Sequence, residues 1–285
     1  MRRRQFGRLP RFAPFGAVRA PEMRLAHSRL LSALPAALLL LLGANTAASA
    51  VEAGATYVVT LGGNNVATAK FRFAEDGKAY NLALDANVSG IAQLVASGTA
   101  KVDSNGVVAA DGLRSESFDL LTRASGDTFN VRVQYDKGNV ASFIIEPPIV
   151  NNIDRVPLER KQLGGVNDFL AAFLRKANKF DRSLCDYRAR IFTGVERFDL
   201  DFSYAKDDEA TSKRTGYQGP VVLCAVKYKP IAGHYTTSEI TNSLAQEDRI
   251  LIWYAPLKDS GYYLPYRVLL STSMGDLSMV LTKLD

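Results

Sequence analysis

Phe129-Asn130-Val131-Arg132-Val133-Gln134-Tyr135-Asp136-Lys137-Gly138-Asn139-Val140-Ala141-Ser142-Phe143-Ile144-Ile145 is the stretch that decides the fold class. Phe129, Val131, Val133 and Tyr135 alternate with polar neighbours, the period of a half-buried strand. Asp136-Lys137-Gly138-Asn139 then supplies turn chemistry, and Val140 to Ile145 returns as a second strand, so the segment reads as a hairpin. Pro147-Pro148 ends the run, because neither nitrogen can donate to a ladder and both rings fix φ.

The same grammar extends toward the N-terminus as far as Thr56. Tyr80, Leu82, Leu84, Ala86 and Val88 alternate. Turn chemistry recurs at Gly62-Gly63-Asn64-Asn65, Glu75-Asp76-Gly77-Lys78, Asp103-Ser104-Asn105-Gly106 and Ala124-Ser125-Gly126-Asp127. Glycine and asparagine tolerate the positive φ of tight hairpins. Six or so strands with no helix between them predict an antiparallel sheet.

Beyond Pro148 a polar connector runs from Asn151-Asn152 to Gly164-Gly165. Val166, Phe169, Leu170, Phe173 and Leu174 then share one helical face, with Arg175, Lys176 and Lys179 near its end, which predicts a core-covering helix over about 166–177. Connector and helix together occupy about 149–180. Strands resume at Tyr187–Phe192 and Arg197–Tyr204 around Thr193-Gly194, then at Val221–Tyr228, Arg249–Tyr254, Tyr262–Ser271 and Ser278–Leu284, with Met274-Gly275-Asp276 as the last turn. No internal repeat is convincing, and a single curved sheet is simpler than two lobes.

The chain is 47% hydrophobic and 22% charged, as an ordinary globular protein is, with a formal charge of +6. Of its 35 basic and 29 acidic residues, eight arginines and one acid, Glu22, precede residue 51, which leaves 51–285 at a net charge of −1. A global basic field for nucleic acid is excluded as the default. Near-neutrality points to an apolar ligand before an anionic surface.

Residues 24–50 have the three parts of a secretory signal. Arg24, His27 and Arg29 form the basic start, Leu30 to Ala44 is apolar, and Ala47-Ala48-Ser49-Ala50 offers small residues for cleavage after Ala50. The apolar part is about 15 residues, short of the roughly 20 that span a bilayer. Residues 1–22 are surplus to the signal, which makes Met23 the expected start. Arg3-Arg4-Gln5-Phe6 as a twin-arginine signal is the minority view, since the apolar region begins too far away. The expected mature domain is 51–285, periplasmic and not integral to a membrane.

Export places the two cysteines, Cys185 and Cys224, where disulfides persist. A structural bridge is the first reading. A redox pair lacks the Cys-x-x-Cys spacing, and a zinc site needs more than these two and His234, the one histidine left after signal removal. No Gly-x-Ser-x-Gly elbow, phosphate-cradling Gly-Lys-Ser/Thr loop or His-Glu-x-x-His pair occurs. His234 therefore reads as a loop or strand-end histidine, and Asp207-Asp208-Glu209 as a solvated hairpin tip before a calcium site. No catalytic residue, metal or cofactor is expected, although paired carboxylates for glycoside hydrolysis are invisible at this level. Tyrosine is concentrated after residue 180. Trp253, Tyr254, Tyr262, Tyr263 and Tyr266 fit cross-strand packing first and a ligand rim second.

Several short motifs carry a family resemblance: Val156-Pro157-Leu158, Asn167-Asp168-Phe169-Leu170, Cys185-Asp186-Tyr187, Phe192-Thr193-Gly194, Arg197-Phe198-Asp199-Leu200, Cys224-Ala225-Val226-Lys227-Tyr228 and Ile231-Ala232-Gly233-His234. Through them the chain, from roughly Ala55 to Leu284, resembles the bacterial exported proteins of the domain of unknown function 3108 family. Through that family it is similar to periplasmic half-barrels or β-spirals, whose relatives include lipoprotein carriers and envelope-integrity factors. The resemblance implies a mainly β protein, an antiparallel curved sheet wrapped around a helix, and no assigned reaction. The expected function is non-catalytic: binding an acyl chain, lipoprotein or peptide in a sheet concavity of a Gram-negative envelope. The alternatives are a scaffold that pairs with an envelope protein through a sheet edge, and a carboxylate-based hydrolase.

Overall fold

The computed structural model describes residues 50–90, 97–246, 250–272 and 275–285. The export signal read into 24–50 lies outside them except for Ala50, as do Arg249 and Met274.

Seven strands follow one another as hairpins: β1 (Val51–Leu61), β2 (Asn64–Glu75), β3 (Ala79–Val88), β4 (Gly98–Ala109), β5 (Gly112–Ala124), β6 (Asp127–Asp136) and β7 (Asn139–Glu146). After the connector come α1 (Phe169–Phe173), β8 (Arg175–Lys176), β9 (Tyr187–Phe192), β10 (Arg197–Ala210) and β11 (Gly219–Ala232). The chain ends with α2 (Glu239–Leu244), β12 (Ile250–Pro256), β13 (Tyr262–Thr272) and β14 (Gly275–Leu284). All the strands belong to one 14-stranded sheet ordered β7-β6-β5-β4-β3-β2-β1-β14-β13-β12-β11-β10-β9, with β8 on β13. Its strand pairs are antiparallel. Two meanders are thus joined at the chain's ends, where β1 pairs with β14 from Ala55↔Leu284 to Leu61↔Leu277.

The alternation read from the sequence is the burial pattern of the strands. Val131, Val133 and Tyr135 point inward from β6, and Tyr80 and Leu82 from β3. Each fully buried large side chain, such as Leu82 or Phe118, contributes about 1.5–3 kcal/mol by leaving water. One core cluster draws on nearly every strand and on the connector through Leu163, Val166, Leu170 and Leu174. A second, around Cys185 and Cys224, lies between β9–β13 and the segment before β9.

The sheet is not closed. Its edges, β7 and β9, do not pair with each other. Residues 164–167 of the connector run between them. Gly164 bridges to Asn139 at the start of β7, and Asn167 bridges in parallel to Ile191 of β9. The Val166 amide donates to Gly138 O at 2.8 Å, and Asn167 exchanges bonds with Arg190 O and the Phe192 amide at 2.8 and 3.0 Å. A segment this short can reach both edges only if the sheet curves to bring them together. Tyr135 Oη also donates across the gap to Phe192 O at 2.9 Å, and the Phe143 and Phe192 rings meet edge-on at 5.2 Å. The β9–β10 turn presses on β6 so closely that a Cβ on Gly194 would stand 2.1 Å from Val131 Cγ1.

Three local expectations are corrected. Asp103-Ser104-Asn105-Gly106 is no turn but the interior of β4, where the register with β5 shifts between Asn105 and Gly106. A bulge calls for the same glycine chemistry as a turn. Here a Cβ on Gly106 would fall 2.1 Å from Arg114 O and 2.9 Å from the Tyr80 ring. The helix expected over 166–177 holds only from Phe169 to Phe173. Val166 and Asn167 are spent on the sheet edges, and Arg175-Lys176 leaves the helix to pair with Tyr262-Tyr263 of β13. Asp207-Asp208-Glu209 lies within β10, paired with Val222, Val221 and Pro220 of β11, not at a hairpin tip.

Candidate functional site

The connector lies between the edges of the two meanders, and side chains fix it to each. Arg155 reaches the second meander, donating from Nε to Gly233 O at 2.8 Å and from Nη2 to Val195 O at 2.9 Å. Arg197, 3% exposed, donates back from β10 to Gln162 O at 3.0 Å and is ion-paired with buried Asp199. Burial pushes the nearby Glu196 carboxyl up, against the pull of His234 and Arg155. His234 follows β11. Its carbonyl accepts from the Val156 amide at 2.9 Å, and its Nδ1 is buried without a partner.

Toward the first meander, Asn167 Nδ2 donates to Leu113 O at 2.7 Å and its Oδ1 accepts from the Ser115 amide at 2.8 Å. Asp168 is fully buried. Its Oδ2 accepts from Ser104 Oγ at 2.6 Å and from Ser115 Oγ, while Oδ1 caps α1 by accepting from the Ala171 amide at 3.0 Å. Tyr80 Oη joins both serines. Burial drives the Asp168 carboxyl above the usual carboxylate range, with the seryl hydroxyls and the Ala171 and Leu170 amides pulling the other way. Serine, aspartate and tyrosine have the composition of a catalytic set. Here they are buried, and the two seryl hydroxyls bond the Asp168 carboxyl, which makes the group a clasp that ties the connector to β4 and β5.

Beside the clasp opens a cleft of about 490 Å³, within the size range of small-molecule sites. Its walls come from the β4–β5 and β6–β7 turns, the connector with α1, and β9. Arg114, Lys137, Arg175, Arg188 and Arg190 line it, against a single acid, Asp111. Arg188 is paired with Asp201. Arg114, Lys137, Arg175 and Arg190 have no carboxylate partner among the described residues. The Arg175 guanidinium lies 3.4 Å over the Tyr187 ring, and its Nε is buried with no hydrogen-bond partner. Tyr187 is held neutral by burial, its phenol 3.1 Å from that of Tyr254.

The aromatic group of the second meander does not form a rim, which corrects that reading. The pleat sends neighbours to opposite faces: Tyr262 and Tyr266 enter the first core cluster, Tyr254 and Tyr263 the second. Tyr262 meets Phe73 edge-on at 4.8 Å, Tyr263 stacks on Phe180, and Tyr266 donates to Thr215 Oγ1 at 3.2 Å. Trp253 is half-buried, donating from Nε1 to Asp208 at 2.9 Å beneath the Arg267 guanidinium. Cys185 and Cys224 are bridged, with Cα atoms 5.4 Å apart, and both are buried in the second cluster. None of these residues lines the cleft. The cations that do were not singled out as a site in the sequence. They are scattered from 114 to 190, and the one local trace is Arg188-Ala-Arg190, which puts two guanidinia on one face of a strand.

A curved, open antiparallel sheet with a connector stitched between its edges and a polar cleft at that seam defines a class of mainly β proteins. Within that class the chain belongs to the family described as protein of unknown function DUF3108, whose model matches residues 56–282. No curated protein matches it. Among solved structures it is similar to a beta-barrel-like protein of the domain of unknown function DUF1849 from Brucella abortus, at 13% identity and a TM-score of 0.47, over 82% of this chain and 97% of that one. Among the described residues, no helix is long and apolar enough to cross a membrane.

Proposed function

We propose that the protein is exported to the periplasm, matures by cleavage after Ala50, and supports the cell envelope by binding rather than catalysis. Its ligand, a lipid, lipoprotein or peptide, docks in the cleft at the seam of the sheet. The observation that carries this reading is the set of cleft side chains left unpaired while the clasp next to them satisfies its own polar groups. The space inside the curve is filled by the first core cluster, which directs a ligand to the seam and not to the sheet interior. Native mass spectrometry of the mature protein, purified from periplasm without detergent, tests it. A discrete co-purifying mass that is released on extraction supports the reading, and a bare monomer contradicts it.

A second reading rests on β7. From Val140 to Glu146 its outer side has no strand partner among the described residues, and Phe143 and Ile144 are 36% and 50% exposed. An unpaired apolar edge accepts a partner's strand. Cross-linking from positions on β7 in cells would capture one envelope protein if this reading holds. For either reading, replacing His234 and the exposed acids one at a time is expected to leave envelope phenotypes unchanged. A loss confined to one pair of carboxylates would favour the hydrolase.

A further inference from the structure

Four cations line one opening with Asp111 the single acid among its lining residues, so the net charge there is positive and the arrangement favours an anion. Each comes from a different element. Arg114 starts β5, Lys137 sits in the β6–β7 turn at φ 51°, Arg175 follows α1, and Arg190 lies on β9. Residues 51–285 as a whole carry a net charge of −1, so without these four cations the remainder stands at −5 and the positive concentration is local. Arg175 adds the strongest pointer. Its guanidinium is fixed over Tyr187 while Nε stays buried and unpaired, a donor that protein atoms do not satisfy.

Resting on the binding reading above, we infer that the ligand presents a phosphate group, which docks among Arg114, Lys137, Arg175 and Arg190. Planar guanidinium forks bind phosphate oxygens in pairs, and lysine adds a point charge. A phosphate offers three or more acceptor oxygens and up to two charges, which suits several donors from separate walls better than a lone carboxylate does. The cleft volume accommodates the phosphate together with a glycerol- or sugar-sized body. A lipid headgroup and a free phosphoester share this chemistry.

The test uses the mature protein with inorganic pyrophosphate by titration calorimetry, and flotation with vesicles of phosphatidylglycerol in phosphatidylcholine. R114Q/K137Q/R190Q is compared with K101Q/R123Q/K213Q, which removes the same number of exposed charges away from the cleft. The first triple is expected to bind pyrophosphate about a hundredfold more weakly, and the second within about twofold of wild type. Capture on anionic vesicles that pyrophosphate reverses assigns a lipid headgroup, whereas pyrophosphate binding without capture assigns a soluble phosphoester. Equal loss in both triples, or no binding of either probe by wild type, overturns the inference. Should the cleft triple fail to fold, R190Q alone and the weakening of wild-type binding between about 0.05 and about 0.5 M NaCl carry the test. A co-purified ligand retained by the cleft triple would end the phosphate assignment and spare the binding reading. Pyrophosphate bound by a protein that leaves the periplasm bare would do the reverse.

Discussion

Asp168 and Arg175 stand on the same connector, on either side of α1, and their surroundings are opposite. Around Asp168 each carboxylate oxygen has its donors, from two serines of the first meander and the helix N-terminus. Around Arg175 an aromatic face and a buried, unpaired Nε replace any counter-charge, and three more unpaired cations line the same cleft. Folding alone explains the first arrangement, because a buried carboxylate without donors would cost several kcal/mol. It does not explain the second, in which like charges line one cleft with Asp111 as the single acid among them. Local departures from what stability favours mark sites kept for another purpose.

The comparison can be sharpened by substitutions that separate stability from binding. The largest loss sets the scale. Replacing both cysteines opens the bridge between residues 39 positions apart and is expected to lower stability by about 4 kcal/mol in the chain-entropy model, read by urea unfolding. Non-reducing mass mapping of periplasmic protein should show Cys185 joined to Cys224.

Asp168→Ala comes next. It removes the buried acceptor shared by two seryl hydroxyls and the Ala171 amide, and with it the cap of α1, for a loss of about 3 kcal/mol. Asp168→Asn keeps the shape and costs less. The two also differ in pH response. The folded state binds the Asp168 proton more tightly than the unfolded chain does, so this site's contribution is full below the ordinary carboxylate range and declines as pH rises through the folded value. Urea midpoints of wild type should therefore fall relative to those of D168N as pH rises above the ordinary carboxylate range. Parallel curves would mean that the hydroxyls and amides fully offset burial.

Much of this was legible in the sequence. Alternation at Phe129–Tyr135 and Tyr80–Val88, with Asp136–Asn139 between strands, reports a property of single strands, and single strands keep it in the fold. What was not legible depends on neighbours. Gly106 marks a bulge because β5 and the Tyr80 ring approach it, which composition cannot distinguish from a turn. Phe169 to Leu174 has helical spacing, yet the helix stops where Arg175 finds an edge of β13. The tyrosines of β12 and β13 could be core or rim until the pleat assigned them to two core clusters. Above all, a net charge near zero after residue 50 concealed five cations in one cleft, since Arg114 and Arg190 meet only when the sheet curves.

The central claim is that the clasp is for folding and the cleft for binding. The most direct test is urea unfolding of R114Q/K137Q/R190Q beside D168A, at low salt and without ligand. The account predicts that the cleft triple unfolds within about 0.5 kcal/mol of wild type or later, as repulsion is relieved, while D168A loses about 3 kcal/mol. A cleft triple that loses as much as D168A would make its cations structural and contradict the account.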